Sequence, residues 1–183
     1  MKILVMYYSV TGNTEQIAKA IHEITSQNHE SELKRFSNIK SEDLNKYDLI
    51  FLGSACHDAD LAKPVIRILK RIPNSPRFKL AGFYTHSTTP PEGRERYKGY
   101  FEKWAGNCEK TFEKFKLEKS IDFKGCFSCQ GSPSPPIAEF IHETIIPDEV
   151  EWKEYIEGAK KHPNETDIEN AKKFAEDILR KSQ

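Results

Sequence analysis

The sequence lacks a long apolar run: no stretch of its 183 residues approaches the roughly 20 consecutive apolar residues of a membrane-spanning helix. The N-terminus also lacks the basic start and the cleavage site of a signal peptide. The content of 37% hydrophobic and 31% charged residues is that of a soluble protein, and the length is sufficient to bury one sizeable core. We therefore expect a cytoplasmic protein with no membrane partner, in which residues 1–183 form a single domain.

Cysteine is scarce, and its spacing does not suggest a disulfide scaffold. The cysteines are Cys56, Cys108, Cys126 and Cys129. The last two have Cys-x-x-Cys spacing, but they end a predicted strand instead of opening a helix, and no second pair of ligands for zinc is present. We therefore favour two buried, small hydrophobic side chains over a redox dithiol or a metal site.

Neither sign of charge is in excess, because 28 Lys and Arg residues balance 28 Asp and Glu residues. The distribution is uneven: residues 61–125 carry 15 basic and 7 acidic side chains, whereas residues 126–183 carry 7 and 12. The basic residues are scattered without interleaved aromatic residues, which argues against nucleic-acid binding. An acidic protein partner that docks on the basic surface of residues 61–125 remains open.

The most informative segment that is present lies at the N-terminus, where a strand leads through a short loop into a helix. Residues 3–8 are apolar or aromatic, and apolar residues recur at helical spacing from Ile17 to Ile24. The loop between them reads Ser9-Val10-Thr11-Gly12-Asn13-Thr14. Its hydroxyl groups, the free amides of the first helical turn and the helix dipole converge on one small volume, which suits a phosphate dianion. Gly12 lets the backbone approach such a ligand closely.

Two common phosphate motifs are absent from this loop. It has no lysine, which excludes the triphosphate P-loop, and it has no Gly-x-Gly-x-x-Gly for a dinucleotide, so a monophosphate is the better ligand. Ser9-x-Thr11-Gly12-x-Thr14 directly after a first strand resembles the phosphate loop of the flavodoxin family, which binds the ribityl phosphate of FMN. The alternative is an ordinary threonine-capped turn between a strand and a helix.

Strands and helices alternate along the rest of the chain, which predicts a parallel sheet between layers of helices. We expect further strands at 32–36, 48–54, 78–85 and 121–127, and helices at 64–72, 96–117 and 166–181. Thr166 and Glu169 are the expected capping box of the last helix. The resemblance implies an α/β fold with a flavodoxin-like, doubly wound, five-stranded parallel sheet of order 2-1-3-4-5 in three layers.

The resemblance covers residues 1–127 and 166–183, and residues at about 131–165 are an insertion between the fifth strand and the last helix. The insertion opens with a proline-rich stretch at residues 132–136. We expect helices at residues 137–145 and 148–159 within it. Its role is not predicted.

In an open α/β sheet a ligand binds beyond the carboxyl ends of the strands, so the loops after the first, third and fourth strands are expected to meet. The loop after the third strand contributes Ala55, Cys56, His57 and Asp58. The resemblance implies that His57 stands where the family usually places an aromatic residue on one flavin face. The alternative is a solvated loop residue.

The loop after the fourth strand is polar and rich in turn formers. The resemblance implies flavin contacts from Thr85, His86, Ser87, Thr88, Thr89 and Gly93. The aromatic residue that the family has in this loop is absent, and Pro90 occupies roughly its position. We therefore expect Tyr97 or Tyr100 to cover the other flavin face, or that face to be open to a substrate.

The resemblance implies a protein that binds FMN noncovalently and passes electrons between a reductase and an acceptor protein, without a catalytic side chain. An open flavin face leaves a second function, an NAD(P)H-dependent quinone or nitro-compound reductase on the same fold. A flavin-free interaction module is a third possibility. Flavin content separates the module from the other two, and NAD(P)H oxidation with quinone acceptors separates those two from each other.

Overall fold

Strands and helices alternate in the computed structural model, which describes residues 1–36, 41–89 and 95–183, without the side chains of residues 41, 42 and 95–98. The strands are β1 (Lys2–Tyr7), β2 (Glu30–Arg35), β3 (Leu49–His57), β4 (Asp60–Leu61), β5 (Lys79–His86) and β6 (Asp122–Gln130). The α-helices are α1 (Asn13–Thr25), α2 (Lys63–Arg71), α3 (Glu95–Trp104), α4 (Asn107–Lys119), α5 (Pro135–Phe140), α6 (Glu149–Ala159) and α7 (Glu165–Arg180). A 3₁₀ helix spans Ser41–Lys46 and a π-helix spans Ile141–Ile145.

The central sheet is parallel, with the strand order β2-β1-β3-β5-β6. The strands predicted as fourth and fifth are β5 and β6, so this order confirms the predicted 2-1-3-4-5. Burial on both faces explains why the apolar runs of β1 and β3 could be recognised in the sequence. The order reverses between β1 and β3, and their carboxyl ends meet there.

Two hydrophobic cores cover the two faces of this sheet and give the fold its three layers. Leu4 and Met6 of β1 belong to the core with apolar residues of α2 and α4. Ile3 and Val5, which alternate with them along the strand, belong to the core with residues of α1 and α7. The predicted three-layer α/β fold is therefore confirmed.

Strand β4 was not predicted and forms a short antiparallel hairpin with β3. His57 pairs with Asp60 across a turn made by Asp58 and Ala59, both of which have positive φ angles, 53° and 64°. Two consecutive left-handed residues match the right-handed twist of a hairpin, but the usual sequence signal is Asn-Gly or Asp-Gly. The sequence Asp-Ala does not carry that signal.

The single helix predicted at residues 96–117 is wrong, because the chain forms two helices there. α3 ends at Trp104 and α4 begins at Asn107, with Ala105 and Gly106 between them. Glycine lowers helix stability by about 1 kcal/mol relative to alanine, which favours a break at this point. On the two sides of the break, α4 packs residues into the core and α3 places residues at the cavity described below.

The predicted capping box at Thr166 and Glu169 is also wrong. The N-cap of α7 lies two residues earlier, at Asn164, whose side chain accepts a hydrogen bond from the Asp167 amide at 3.0 Å. The Asp167 carboxylate accepts one from the Asn164 amide at 2.8 Å. The predicted pair and the observed pair both have the three-residue spacing of a capping box. The hydrogen bonds are made by the observed pair, Asn164 and Asp167, which follows Pro163.

In the part of the chain that the structure describes, no helix is both long and apolar enough to cross a membrane.

Candidate functional site

The loops that follow β1, β3 and β5 line one cavity of about 460 Å³ at the carboxyl edge of the sheet. The convergence of these three loops confirms the expected geometry. The predicted residues that line the cavity are Val10, Thr11, Asn13, Ala55, Cys56, His57, Asp58, Thr85, His86, Ser87, Thr88 and Thr89. Ser9, Gly12 and Thr14 lie beside it in the first loop and do not line it.

The loop after β1 is held in the shape that its sequence predicts. Gly12 has φ of 94°, in the left-handed region that favours glycine, and the space where a Cβ atom would lie is open. Its amide donates a hydrogen bond to Ser9 Oγ at 3.1 Å, and its carbonyl accepts one from the Gln16 amide at 3.0 Å. Since Gly12 is the N-cap residue and has no side chain, no N-cap oxygen competes for the first amides of α1.

The hydroxyl groups of this loop have different environments. Thr14 is buried, and its hydroxyl is hydrogen-bonded to the hydroxyl of Thr85 at 2.8 Å. Ser9 is also buried and bonds to the Gly12 amide within the loop. Thr11 is exposed and lines the cavity. The Thr11 hydroxyl accepts a hydrogen bond from Asn13 Nδ2 at 3.0 Å, whereas the Ser9 and Thr14 hydroxyls bond within the protein. Their convergence on a phosphate stays a prediction.

Arg35 at the carboxyl end of β2 was not predicted as a site residue. Its Nη2 donates a hydrogen bond to the Ser9 carbonyl at 2.8 Å, which places a guanidinium beside the loop after β1. The pairing of β2 with β1 carries it there, because Arg35 is in register with Tyr7. A sequence signal was available, since carboxyl ends of adjacent parallel strands meet at the same edge.

The loop after β3 presents His57 and Cys56 to the cavity. The His57 side chain is exposed, and its ring contacts the Tyr8 ring edge-on at 5.8 Å between centroids. The Cys56 thiol donates a hydrogen bond to the Trp104 carbonyl at 3.3 Å, which ties β3 to the end of α3. His57 is thus on a cavity edge, within reach of a ligand and of solvent.

The loop after β5 is ordered around a buried histidine. His86 is only 4% exposed, and its Nδ1 lies 3.0 Å from the Thr88 carbonyl, so the proton is on Nδ1. Burial lowers the pKa of His86 to about 4, although the Thr88 bond opposes this effect. The imidazole therefore lines the cavity as a neutral group at physiological pH.

The insertion contributes a wall of the cavity that the sequence interpretation missed. The lining residues from it are Ser132, Ser134, Ile137, Phe140, Ile141, Ile145, Ile146 and Tyr155. Asn13 Nδ2 donates a hydrogen bond to the Ser132 carbonyl at 2.8 Å, and the Tyr155 hydroxyl donates one to the Ser87 carbonyl. Burial raises the pKa of Tyr155, which keeps this donor protonated. These bonds fix the insertion to the loops after β1 and β5.

Helix α3 supplies the remaining aromatic residues at the cavity. Trp104 and Tyr100 line it, and Tyr100 was one of the two tyrosines expected there. Tyr97 lies in α3, but its side chain is outside the described part of the structure. Gly93 and Pro90 also lie outside the described residues.

The Cys-x-x-Cys motif lies within β6, and neither cysteine lines the cavity. Side chains alternate along a strand, so residues three apart point to opposite faces of the sheet. Cys126 packs against the core with α2 and α4, and Cys129 belongs to the core with α1 and α7. Burial raises the pKa of both thiols. All cysteines are free, and the described residues contain no cluster of three potential metal ligands.

The family is decided by a comparison of the whole sequence with family models. The model for the flavodoxin domain matches residues 4–176. The chain belongs to the flavodoxin-domain family.

Relatives of this flavodoxin-domain chain match it from end to end. The flavodoxin-like domain-containing protein BilS of Clostridioides difficile (strain CD3) is 28% identical and covers 100% of this chain and 98% of its own. The structure of oxidised flavodoxin 2 from Bacillus cereus is 22% identical, with a TM-score of 0.64 and 99% coverage of both chains. A flavodoxin from the domain Archaea is 17% identical, with a TM-score of 0.62 and coverage of 100% and 99%. The last two comparisons show the shared fold.

Proposed function

We propose that this protein binds FMN noncovalently and carries electrons between a reductase and an acceptor protein. The observation that carries the proposal is the loop after β1. There an uncapped helix N-terminus, a left-handed Gly12 and the Thr11 hydroxyl adjoin one cavity. This combination suits a phosphate dianion.

The cavity fits an amphiphilic ligand such as FMN in chemistry and in size. Its lining is polar at Thr11, Asn13 and residues 85–89, and apolar along the insertion and α3. Arg35 adds a positive charge beside the phosphate loop. The volume of about 460 Å³ falls in the range of sites that hold one small molecule.

Each part of the site would hold a different part of FMN. The Thr11 hydroxyl and the amides of the first turn of α1 would bind the phosphate. The loops at residues 55–58 and 85–89 would flank the ring, with His57 at one edge and the neutral His86 beneath. FMN would supply one- and two-electron redox chemistry. The side chains bind it, orient it and exclude water.

We infer an electron carrier in preference to a reductase because the insertion walls the cavity. A cavity of this volume suits one ligand of the size of FMN, and the insertion lines it together with the three loops. The acceptor and donor are then proteins that approach the edge of the site.

We infer that the basic surface of residues 61–125 contacts these partner proteins. Helix α2, which follows the loop after β3, exposes Lys63, Arg67, Lys70 and Arg71. An acidic partner surface would complement this charge and speed association. Electron transfer to such a partner should slow as salt is raised, because the Debye length shrinks to about 3 Å at 1 M ionic strength.

The deciding experiment is an absorbance spectrum of protein purified without added cofactor, followed by release and identification of any flavin. We expect FMN, either bound on purification or taken up stoichiometrically in a titration. Failure to bind FMN in either form would leave the flavin-free interaction module. Rapid steady-state oxidation of NAD(P)H with a quinone acceptor would instead identify a reductase.

A further inference from the structure

The insertion contributes five apolar residues to the lining of the cavity. These residues are Ile137, Phe140, Ile141, Ile145 and Ile146, which we call the insertion wall. They come from α5, from the π-helix and from the residue after it. π-helical turns are rare and occur frequently at functional sites. Here the π-helix carries Ile141 and Ile145, and both line the cavity.

Two members of the insertion wall are not buried by the protein itself. The Ile137 and Phe140 residues are 45% and 39% exposed, although both line the cavity. The Phe140 ring contacts the Trp104 ring edge-on, with 5.5 Å between centroids, which joins the wall to the end of α3. Covering exposed apolar surface of a cavity with an apolar ligand favours binding, because that surface is removed from water.

The insertion wall is held at a fixed position relative to the phosphate loop. The hydrogen bond from Asn13 to the Ser132 carbonyl joins the start of the insertion to the first turn of α1. The bond from Tyr155 to the Ser87 carbonyl joins its second helix to the loop after β5. Thr11 lines the same cavity as the wall, so a ligand anchored there by its phosphate would share this cavity with the wall.

We propose that the insertion wall covers the tricyclic ring of the bound flavin and shields it from water. This inference rests on the proposed function, and it assigns the insertion a role in the cofactor site. The ring is the less polar part of the ligand, and the wall, together with Trp104 of α3, is the apolar part of the cavity. The side chains of the wall thereby add affinity for the ring that is independent of the phosphate.

The test compares a wall variant, Ile137→Ser with Phe140→Ser, with a control in the same insertion, Val150→Ser. Val150 is 77% exposed and does not line the cavity. Both substituted wall residues are partly exposed, so the fold should persist, and circular dichroism checks this. The single variant Phe140→Ala serves if the double variant is unstable. The probes are FMN and riboflavin, which has the same ring and no phosphate.

The wall variant should bind riboflavin at least about tenfold more weakly than the wild type, because hydrophobic contact with the ring is lost. FMN should weaken by a similar factor, and iodide should quench the fluorescence of bound FMN several times more efficiently. The Val150 control should match the wild type in all three measurements.

Different results overturn different parts of the argument. If the wild type binds FMN and the wall variant matches the Val150 control, the wall does not cover the ring, while the FMN site stands. If the wall variant keeps its flavin affinity and its resistance to iodide but loses turnover of a quinone, the wall binds a substrate instead. If the wild type binds no flavin at all, both the proposed function and this inference are wrong.

Discussion

Thr11 and Thr14 have the same side chain and lie in the same loop, yet the structure gives them different roles. Thr11 faces the cavity, whereas the Thr14 hydroxyl is buried against Thr85. The sequence pattern Thr-Gly-x-Thr identified both as phosphate ligands. It could not separate them, because the partner that occupies Thr14 comes from β5, far along the chain.

This difference predicts that two matched substitutions affect two different properties, the affinity for FMN and the stability of the fold. Thr11→Val should raise the dissociation constant of FMN roughly ten- to hundredfold, because a charge-assisted hydrogen bond contributes about 1.5–3 kcal/mol. Its free energy of unfolding without FMN should stay near that of the wild type. Thr14→Val should instead cost about 1–3 kcal/mol of stability, since it leaves the Thr85 hydroxyl buried without its partner.

Fluorescence titration with FMN and urea unfolding of the apoprotein measure these two quantities for both variants. An unchanged FMN affinity in Thr11→Val would show that the hydroxyl does not contact the phosphate. A fully stable Thr14→Val would show that the buried bond to Thr85 contributes nothing.

His86 predicts the pH dependence of stability. Its pKa of about 4 in the folded protein is below the value of about 6.5 in an unfolded chain, so the unfolded state binds more protons between these values. The free energy of unfolding is therefore unaffected by His86 above about pH 6.5. It decreases as the pH falls from 6.5 toward 4, by about 3 kcal/mol in total. His86→Gln should flatten this part of the profile of unfolding free energy against pH. A slope in His86→Gln equal to that of the wild type would contradict the assignment.

At the scale of elements, the strands and their order followed from the sequence because buried parallel strands are continuous apolar runs. The breaks and ends of helices followed less well. In the sequence, apolar and aromatic residues recur at helical spacing from Tyr97 through Trp104 and Cys108 to Phe115, so the periodicity did not mark the break at Ala105 and Gly106. The hairpin of β3 and β4 was missed because its turn residues, Asp58 and Ala59, do not carry the usual glycine.

The hairpin turn offers a test by substitution. Ala59 has φ of 64°, a conformation that costs a residue with a Cβ about 1–2 kcal/mol. Ala59→Gly removes this cost and loses part of the gain to the greater entropy of glycine in the unfolded chain, so we expect a net stabilisation of about 0.5–1 kcal/mol. Ala20→Gly, in the interior of α1, should destabilise. Urea unfolding of both variants measures the two signs, and destabilisation by Ala59→Gly would contradict the turn.

Strand β6 predicts that Cys126 and Cys129 do not act as a dithiol. Their sulfurs lie on opposite faces of the sheet, and burial raises both pKa values, so the reactive thiolate is scarce at pH 8. Both thiols should be alkylated by iodoacetamide far more slowly in the folded protein than in urea. Diamide should form no Cys126–Cys129 disulfide in the folded protein. Rapid formation of that disulfide would instead support a redox dithiol at the Cys-x-x-Cys motif.

At the scale of the whole molecule, three loops of the cavity could be predicted and its fourth wall could not. The rule that ligands bind at the carboxyl edge of a parallel sheet brings together the loops after β1, β3 and β5. The insertion has no equivalent rule, because its place depends on bonds between residues far apart in sequence, such as Asn13 with Ser132. The sequence predicted a helix at residues 137–145 without showing what it faces.

Binding of FMN should stabilise the whole molecule by mass action. At a free FMN concentration of 100 times the dissociation constant, the free energy of unfolding should increase by about 2.7 kcal/mol. For a chain of this length, that corresponds to a rise in melting temperature of roughly 5–10 °C. Differential scanning fluorimetry with FMN against adenosine monophosphate, a phosphate ligand without the flavin ring, measures the effect. An equal shift with both ligands would indicate a phosphate site without selectivity for the ring.

The insertion and the domain should respond to FMN as one unit, because the loops that hold the phosphate also hold the insertion. Ser132 is bonded to Asn13 in the first turn of α1, and Tyr155 is bonded to the loop after β5. Ordering these loops around FMN therefore favours the docked insertion. We expect amide hydrogen exchange to slow on binding in α5 and α6 as well as in the loop after β1. Exchange in α7, which packs on α1 outside the cavity, should change much less at the same FMN concentration.

Asn13→Ala, which removes the bond to Ser132, should reduce the slowing in α5 while FMN still protects the loop after β1. If the exchange rates of α5 and α6 in the wild type do not change when FMN binds, the insertion is not coupled to the FMN site.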